Sequence, residues 1–563
     1  MPRKSLLSLF MLSMGVASLV AATMVGVAPA SSASNGTLIV TQAGTGFDTL
    51  DPQLSYVSND WGLLYNTELT LLNFPSKAGK DGTKLIPQAA TAFPSISNHG
   101  KKYVFHIRAG LKLSDGSRVT AQNFVRAFER NLSPKMFAAY GVFDGLDQFL
   151  VGGKAFAAGD APHISGLIAN GRTLTIKLTK VVPQFTTIMG MPWFMAIPKH
   201  MPYNNTAGGV KVYASGGPYH ITSNDLDHLT VLKRNSHWPT SRYFRSNWPA
   251  NPSAIVVKSN ANSNGTAELL QAEKNQVDIA GVASQDVVSV KNKYGVNRTN
   301  GQFHVGPTTC IQWNALNNQP NTHTSTALPN VRQALNYALS RVVQNNFSGP
   351  LSGTQSEQVL VPAIPGYKKI RHYGGAGNLT AAKRVGGSAL NGARLNIYYR
   401  ASSPSQTNMA EYIQAQAHKL NMDPHLQTSD PSGFYKPLMT RSIAHGSDGY
   451  NITASGGWCA DYADGYDYFN VNFDGRTITD TGNTDYMYFN NARFNAHMDA
   501  AAAKTGAARA LAYRNLDAEF STKHAPIIPK QISNARTFSS KRVHNWIYST
   551  WWGQPFWNAI KLS

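Results

Sequence analysis

Short runs of alternating apolar and polar residues recur along the chain and predict β-strands. The first run is GTLIVTQAG at 36–44. A second run, at 101–120, contains the pair Asp115–Gly116, which predicts a turn and therefore a β-hairpin. One face of its leading strand carries Tyr103, Phe105 and Ile107. Further strands are expected within 171–180, 215–238 and 393–400.

Other segments repeat their apolar residues every three or four positions, which predicts helices. In 120–132 the periodic residues follow Thr120, a residue type that caps helices. The segment 329–347 predicts one amphipathic helix with an apolar stripe of Val331, Leu335, Ala338, Leu339 and Val342. Further helices are expected within 266–282, 408–420 and 494–526. Because strands and helices alternate over 563 residues, the pattern favours two or three α/β lobes.

The N-terminal segment has the pattern of a secretory signal. Arg3 and Lys4 precede an apolar run that starts at Leu6, and small residues end it near Ala33. We predict a signal peptide at 1–33 that is cleaved on export. The alternative is an uncleaved membrane anchor, since the run is long enough to span a bilayer. No cysteine lies near the cleavage point, so we expect an extracytoplasmic protein without a lipid anchor.

Lysine and arginine outnumber aspartate and glutamate by 51 to 30, but the basic residues are spread thinly. The densest local cluster, YKKIRHYGG at 367–375, is small. A nucleic-acid-binding protein would concentrate its positive charge in a stripe or patch. Nucleic acid is therefore not an expected partner, and the diffuse charge is interpreted as a solubility trait.

The chain contains two cysteines, Cys310 and Cys459. An even number in an exported protein favours one disulfide, and the alternative is two buried free thiols. A bond between residues so far apart in sequence would stabilise the fold by about 4 to 5 kcal/mol in the chain-entropy relation.

Candidate chemistry concentrates in GWCADYADGYDYFN at 457–470, which combines a cysteine, a tryptophan and three aspartates. Paired carboxylates can hydrolyse glycosides, so Asp461, Asp464 and Asp467 raise the hypothesis of a secreted hydrolase. The chain has no G-x-S-x-G elbow, no H-E-x-x-H helix and no G-x-x-x-x-G-K-[ST] loop. Its histidines are scattered singly. We therefore expect a binding protein rather than an enzyme, with no cofactor and no metal site.

Six segments, taken in order, resemble one family of proteins. They are TLDP at 49–52, YVFHIRAGLKLSDGSRVTAQNFVRAFER at 103–130, GGPYHI with LKRNSHW in 216–238, VRQALNYALSR at 331–341, GWCADYADGYDYF at 457–469 and HAPIIP at 524–529. Together they resemble the oligopeptide- and dipeptide-binding receptors that serve ABC importers. The resemblance covers nearly the whole chain after the predicted signal.

The resemblance implies an α/β fold of two lobes that close on a ligand like a clamp, with an extra small domain inserted in the first lobe. Lobe one would comprise 35–78, 200–307 and 531–563. The small domain would comprise 79–199, and lobe two 308–530.

The same resemblance implies a peptide site. Asp461 would pair with the α-ammonium group of the peptide. The backbone of Gly457 to Cys459, and that of the loop around Phe47, would pair with the peptide backbone as an added strand does. Trp458 would form the wall of a side-chain pocket.

Further contacts follow from the resemblance. Cys310 and Cys459 match the disulfide of the family, which would brace the acidic loop against the start of lobe two. Tyr140 would add an aromatic contact from the small domain. Ser455 stands where a basic residue would hold the C-terminus of a ligand, so Arg441 is the candidate for that role.

The implied function is the capture of short peptides by a monomeric receptor, which delivers them to the membrane permease of an ABC importer. Some proteins with this fold bind nickel, haem or sugars instead. A metal chelate, haem or an oligosaccharide is therefore the alternative ligand. Hydrolysis through Asp461, Asp464 and Asp467 is the remaining alternative.

Overall fold

A computed structural model of the protein describes residues 36–43, 47–136, 138, 145–205, 209–260, 262–319, 325–429, 433–446 and 448–563. The predicted signal peptide at 1–33 and the predicted contact Tyr140 lie outside these ranges. Within them, strands and helices alternate along the chain, which confirms the α/β class.

Strands are numbered here in chain order. In the described part of the chain they are β1 (Thr37–Ala43), β2 (Leu72–Asn73), β3 (Ile86–Pro87), β4 (Ser95–Ser97), β5 (Lys102–His106), β6 (Leu167–Asn170), β7 (Thr173–Lys177), β8 (Tyr219–Asp225), β9 (Leu229–Arg234), β10 (Ala254–Asn260), β11 (Ile279–Gly281), β12 (Phe303–Ala315), β13 (Gly353–Gln355), β14 (Arg394–Tyr399), β15 (Asp423–Thr428), β16 (Ile452–Thr453), β17 (Gly457–Cys459), β18 (Ile527–Ser539), β19 (Val543–His544), β20 (Tyr548–Ser549), β21 (Gln554–Pro555) and β22 (Lys561–Leu562).

The α-helices of the same ranges are α1 (Ser58–Leu64), α2 (Ala121–Leu132), α3 (Leu146–Phe149), α4 (Gly153–Ala158), α5 (Phe185–Ile188), α6 (Arg242–Asn247), α7 (Thr266–Glu273), α8 (Val287–Tyr294), α9 (Pro329–Ala338), α10 (Arg341–Phe347), α11 (Leu379–Gly386), α12 (Pro404–Lys419), α13 (Tyr435–Met439), α14 (Arg441–Ala444), α15 (Gly465–Phe473), α16 (Ala492–Ala502) and α17 (Gly506–Glu519). A π-helical turn, Phe520–His524, follows α17 directly.

The largest sheet has nine strands in the order β17-β12-β18-β11-β1-β10-β9-β8, with β13 also paired to β18. Its strand β1 pairs in parallel with β10 along its whole length. The strands β12 and β18 are 13 residues long and run antiparallel to each other. Both strands pass through a predicted boundary between lobe one and lobe two. The backbone ladder between them therefore connects those two parts of the chain.

The predicted small domain contains its own sheet of four strands in the order β4-β5-β7-β6. Tyr103, Phe105 and Ile107 are buried, as predicted. The predicted hairpin is wrong in its pairing, because β5 pairs with β4 and β7 instead. The strands β4 and β7 give β5 backbone partners on both of its edges. The segment that follows the Asp115–Gly116 turn could pair with only one edge. Asp115–Gly116 closes a tight turn with one bridge, between Lys112 and Arg118.

A buried ion pair joins the predicted small domain to the predicted lobe one. Arg130, on α2, donates from Nη2 to Oδ2 of Asp51 (2.6 Å), and neither side chain is accessible to solvent. Nη1 of Arg130 also donates to Oε1 of Gln53 (2.7 Å). The helix α2 begins directly after Thr120, whose backbone N–H donates to Oδ1 of Asn123 (2.8 Å), the bond by which the third helical residue completes a capping box.

In lobe two, β14 lies between β15 and β16 in a parallel sheet, and α12 packs on β14 and β15. The single helix predicted at 329–347 is wrong, because the segment forms two helices, α9 and α10. The chain leaves helical conformation at Leu339 and Ser340, and the Ser340 side chain then caps α10. Because α10 is a separate helix, Val342 does not continue the apolar stripe of α9. Its side chain is 42% exposed, while the rest of the predicted stripe is buried.

Buried apolar side chains form three clusters. The largest extends through lobe one and the small domain into the part of lobe two that surrounds 457–470. A second cluster lies between the three-stranded sheet of lobe two and its helices, and the third surrounds β11 in lobe one. Over the described ranges, no helix is both long and apolar enough to cross a bilayer.

Candidate functional site

The loop at 457–470 begins as strand β17 and ends in helix α15. Asp464 caps this helix, because its Oδ1 accepts the backbone N–H of Tyr466 (2.8 Å). Aspartate suits this position, since its side-chain oxygen satisfies an N–H that has no partner within the helix. The short turn between β17 and α15 therefore carries Asp461 on an anchored segment.

The predicted disulfide between Cys310 and Cys459 is confirmed. The two cysteines are directly opposite each other in the antiparallel pairing of β12 with β17. Gly457 permits the close approach of these strands, because a Cβ atom there would lie 2.6 Å from the carbonyl oxygen of Ile311. The disulfide and the glycine together hold β17 against β12, as the end strand of the nine-stranded sheet.

The three aspartates of the loop have different surroundings. Asp464 forms a two-point ion pair with Arg509 (Nε to Oδ2 2.8 Å, Nη2 to Oδ1 2.9 Å). Asp467 is fully buried, and its Oδ2 accepts the backbone N–H of Asp461 (2.9 Å). Two of the carboxylates thus hold the loop together. A hydrolase would need two of them facing one substrate, and this loop does not present its acids in that way.

Asp461 is contacted from lobe one by Tyr56, whose hydroxyl donates to Oδ2 (2.9 Å) although the two residues are 405 positions apart. The Tyr56 ring stacks on Trp193 with 5.6 Å between the ring centroids. The indole N–H groups of Trp61 and Trp193 both donate to the carbonyl oxygen of Ser55 (3.0 and 2.9 Å). Two tryptophans therefore hold the backbone beside Tyr56 and direct its hydroxyl toward Asp461.

A cavity of about 510 Å³ opens beside Asp461, between lobe one and lobe two. Lobe one contributes Tyr56 and Trp61 to its walls. The predicted site residues that line it are Gly457, Trp458, Cys459 and Asp461. The Nε1 atom of Trp458 is buried and makes no hydrogen bond with any residue that the structure describes.

One edge of strand β17 is open along this cavity. The strand stands at the end of the nine-stranded sheet and pairs with β12, and no strand in the described ranges pairs with its other edge. An open edge offers backbone N–H and C=O groups to an added strand. The arrangement can therefore bind both an extended backbone, at β17, and a positive charge, at Asp461.

The segment 84–480, more than half of the chain, matches the model of the bacterial extracellular solute-binding proteins, family 5 (middle). The chain belongs to this family. The predicted family is thus confirmed, and the family description names solute-binding proteins rather than enzymes.

The structure of this family 5 protein is similar to that of "Clavulanic acid biosynthesis oligopeptide binding protein 2", with a TM-score of 0.82. The match has 19% sequence identity and covers 94% of this chain and 96% of that one. It confirms the two-lobed α/β fold of periplasmic binding proteins, and the inserted small domain is consistent with it.

Two relatives match parts of the family 5 chain in sequence. "Probable deoxycholate-binding periplasmic protein YgiS" of Escherichia coli (strain K12) is 31% identical over 158 residues, 27% of this chain and 28% of the relative. "Oligopeptide-binding protein OppA" of Bacillus subtilis (strain 168) is 26% identical over 281 residues, 48% of this chain and 47% of the relative. The chain thus spans about a quarter to a half of the length of these relatives.

In this family 5 protein the side chain of Phe47 is buried in the core, and Phe47 does not line the cavity. The predicted contact is through the backbone of the loop around Phe47; residues 44–46 of that loop lie outside the described ranges, and the contact stays a prediction. The backbone that follows Phe47 is held by Asp60, whose carboxylate oxygens accept the N–H groups of Asp48 and Thr49 (both 3.1 Å). Burial raises the pKa of Asp60 to about 7.

The predicted C-terminal contact Arg441 is exposed at the start of α14, and it does not line the cavity either. Its backbone N–H donates to the carbonyl oxygen of Asp480 (2.9 Å). Ser455, by contrast, does line the cavity. The structure therefore brings the 457–461 segment and Ser455 together in one cavity, which neither Phe47 nor Arg441 lines.

Sequence reasoning missed three aromatic residues of the cavity, Tyr56, Trp61 and Tyr435. They lie in or beside short helices without a marked apolar period, so no local pattern distinguishes them from core residues. Their proximity to the TLDP motif at 49–52 was the one available signal for Tyr56 and Trp61. Over the described ranges, no group of three or more His, Cys, Asp or Glu side chains could hold a metal ion.

Proposed function

We propose that this protein is an extracytoplasmic receptor that captures peptides between lobe one and lobe two. The observation that carries the proposal is Asp461, a half-buried carboxylate in the wall of a cavity to which both lobes contribute. Every linear peptide with a free N-terminus has one α-ammonium group, so a single acid can recognise peptides without reading their side chains. Removing one partner of a fully buried ion pair costs about 3 to 5 kcal/mol, so a half-buried pair at Asp461 would contribute a smaller but measurable part of the binding free energy.

The peptide backbone would add to the open edge of β17 as a further strand. Gly457 and Cys459 lie at this edge, and Trp458 forms one wall of the pocket for a peptide side chain. The disulfide at Cys459 keeps the edge in place when the ligand enters. Backbone hydrogen bonds are the same for every peptide sequence, which suits a receptor that accepts varied peptides.

Capture would be followed by delivery to the membrane permease of an ABC importer. The Bacillus subtilis relative and the similar solved structure are both named as oligopeptide-binding proteins. The receptor acts as a monomer, with lobe one, the small domain and lobe two at the predicted boundaries. Ligand contacts to both lobes favour the closed arrangement over the open one, and the permease would recognise the closed form.

The test is the substitution Asp461→Asn, which removes the charge and keeps the shape. We expect peptide affinity to fall at least about tenfold, or about 1.4 kcal/mol, because the ammonium group loses its counter-charge. Isothermal titration calorimetry with short peptides measures this change. The matched control is Asp448→Asn, since Asp448 is an acid of lobe two whose side chain is 83% exposed. Unchanged affinity in Asp461→Asn would remove this residue from the site.

A second candidate function is the binding of a non-peptide ligand in the same cavity, such as a metal chelate, haem or an oligosaccharide. The relative named as deoxycholate-binding favours this candidate. Deoxycholate itself carries a carboxylate, which Asp461 would repel. A neutral ligand would keep its affinity in Asp461→Asn and an anionic ligand would gain affinity, and N-acetylation of peptides would then make no difference to binding.

A further inference from the structure

The predicted small domain contacts the predicted lobe two as well as the predicted lobe one. Gln184 lies directly before α5 in the small domain, and its side chain is buried. Its Oε1 accepts a hydrogen bond from Nη2 of Arg509 (3.2 Å), a residue of α17 that is 325 positions away. This hydrogen bond is called the closure contact below. It joins two parts of the chain that a clamp of two lobes would move apart on opening.

Arg509 connects the closure contact to the loop that carries Asp461. Its Nε and Nη2 donate to the two carboxylate oxygens of Asp464 (2.8 and 2.9 Å), and its Nη1 donates to the carbonyl oxygen of Ala502 (2.6 Å). Asp464 in turn caps α15, which begins after the turn that holds Asp461. Neither Gln184 nor Arg509 lines the interlobe cavity. The closure contact therefore reaches the loop of the proposed site without entering the cavity.

The boundary between the small domain and lobe two is loosely packed. Two cavities of about 430 Å³ each lie along it, one lined by Lys180, Arg476 and Asp499 and the other by Pro183 and Arg509. Hydrogen bonds from Arg476 lower the pKa of Asp499, and the positive charge of Lys180, across the boundary, lowers it further. The two surfaces thus attract each other but leave space between them, as surfaces that separate and rejoin do.

The small domain is attached more firmly to lobe one than to lobe two. The buried pair of Arg130 and Asp51 joins it to lobe one, and a continuous apolar cluster extends through both. The small domain therefore moves with lobe one, and separation of lobe two breaks the closure contact. A hydrogen bond that exists in the closed arrangement and not in the open one shifts the equilibrium toward closure.

We propose that Gln184 and Arg509 are positioning residues through which the small domain holds the clamp closed and slows the escape of a ligand. This inference rests on the proposed function, and it assigns the small domain a part in ligand retention. A ligand enters the open arrangement, so the closure contact does not change the association rate. Dissociation requires opening, so loss of the contact accelerates it.

The test is the substitution Gln184→Ala, with tripeptides that have a free amino terminus as the probe. We expect dissociation to become about three- to tenfold faster, because one hydrogen bond of the closed arrangement is lost, while association changes by less than about twofold. Stopped-flow fluorescence measures both rates. Gln184→Glu keeps an acceptor oxygen at the same reach from Arg509 and should restore slow dissociation. Gln148→Ala is the matched control, since Gln148 is an exposed glutamine of the small domain.

Small-angle X-ray scattering gives a second measurement that needs no peptide. The ligand-free Gln184→Ala variant should have a larger radius of gyration than the ligand-free natural protein, because its open arrangement is more populated. Unchanged dissociation in Gln184→Ala, or equal acceleration in Gln148→Ala, overturns this inference alone. If no tripeptide binds the natural protein, the proposed function is wrong. The scattering of the ligand-free proteins then decides the inference, and equal radii of gyration overturn it.

Discussion

Asp461, Asp464 and Asp467 are chemically identical residues within seven positions, yet their surroundings give each a different part in the structure. Asp464 is paired with Arg509, and Asp467 is buried against the backbone of Asp461. Asp461 alone of the three lines the interlobe cavity. At the scale of single residues, the partner and the burial of a carboxylate decide whether it holds the loop in place or lines the cavity.

The hydrogen bond from Tyr56 to Asp461 gives a prediction at this scale. The substitution Tyr56→Phe keeps the ring that stacks on Trp193 and removes the hydroxyl. Without this hydrogen bond the Asp461 carboxylate is held less firmly beside the cavity, so we expect peptide affinity to fall by about three- to tenfold. Calorimetry measures the affinity, and thermal unfolding checks that the fold is kept. Tyr435→Phe is the control, because Tyr435 lines the same cavity without bonding to Asp461; equal effects of both variants would contradict the prediction.

At the scale of elements, the site depends on a strand of three residues at the end of a long sheet. So short an edge strand has few ladder hydrogen bonds, and the disulfide between Cys310 and Cys459 supplements them. In the proposed function, the other edge of β17 has to remain open for an added backbone. No strand of the described ranges pairs with that edge, as the proposal requires.

Removing the disulfide therefore has two expected effects. In the double variant Cys310→Ser and Cys459→Ser, the unfolded chain gains freedom, which in the chain-entropy relation lowers stability by about 4 to 5 kcal/mol. The thermal midpoint should fall, and peptide affinity should fall as well because β17 loses its covalent support. Differential scanning calorimetry with and without reductant checks the first effect. Reductant should lower the midpoint of the natural protein and leave that of the double variant unchanged, and equal midpoints of the two proteins without reductant would contradict the prediction.

At the scale of the whole molecule, several carboxyl groups are buried without a cationic partner. Burial raises the pKa of Asp60 to about 7 and that of Glu68 to about 8. Glu68 is inaccessible to solvent, and its Oε1 accepts the side-chain N–H of Asn73 (2.9 Å). The folded protein therefore keeps protons on these groups at a pH where the unfolded chain has released them.

The sign of the resulting pH dependence follows from proton linkage. Between pH 6.5 and 8 the folded state binds more protons than the unfolded state, so stability is lost as the pH rises through the folded pKa values. We expect the free energy of unfolding to fall by about 1 to 2 kcal/mol per pH unit in this window. Glu68 contributes the larger share of this pH dependence. The variant Glu68→Gln should therefore flatten the slope of the free energy of unfolding against pH and raise the thermal midpoint at pH 8. A midpoint that rises from pH 6.5 to 8, or an unchanged slope in the variant, would contradict the prediction.

Local patterns of apolar residues predicted most strands and helices correctly, and failed where a distant strand or a local side-chain cap decides the structure. Alternation placed β1 and β7 correctly, and helical spacing placed α2 with its Thr120 cap. The hairpin at 101–120 was wrong because β5 finds partners in β4 and β7. The helix at 329–347 was wrong because Ser340 caps a new helix, a local hydrogen bond that apolar periodicity does not report.

The sequence by itself determined the α/β class, the pair of cysteines and the motif that carries Asp461, because these depend on composition, period and local order. Only the tertiary structure decided that Tyr56 donates a hydrogen bond to Asp461, 405 positions away, and that Asp464 forms an ion pair with Arg509. It alone decided that Arg441 lies outside the cavity. The physical reason is that a binding cavity between lobes is formed by side chains distant in sequence, whose meeting depends on the packing of the whole chain.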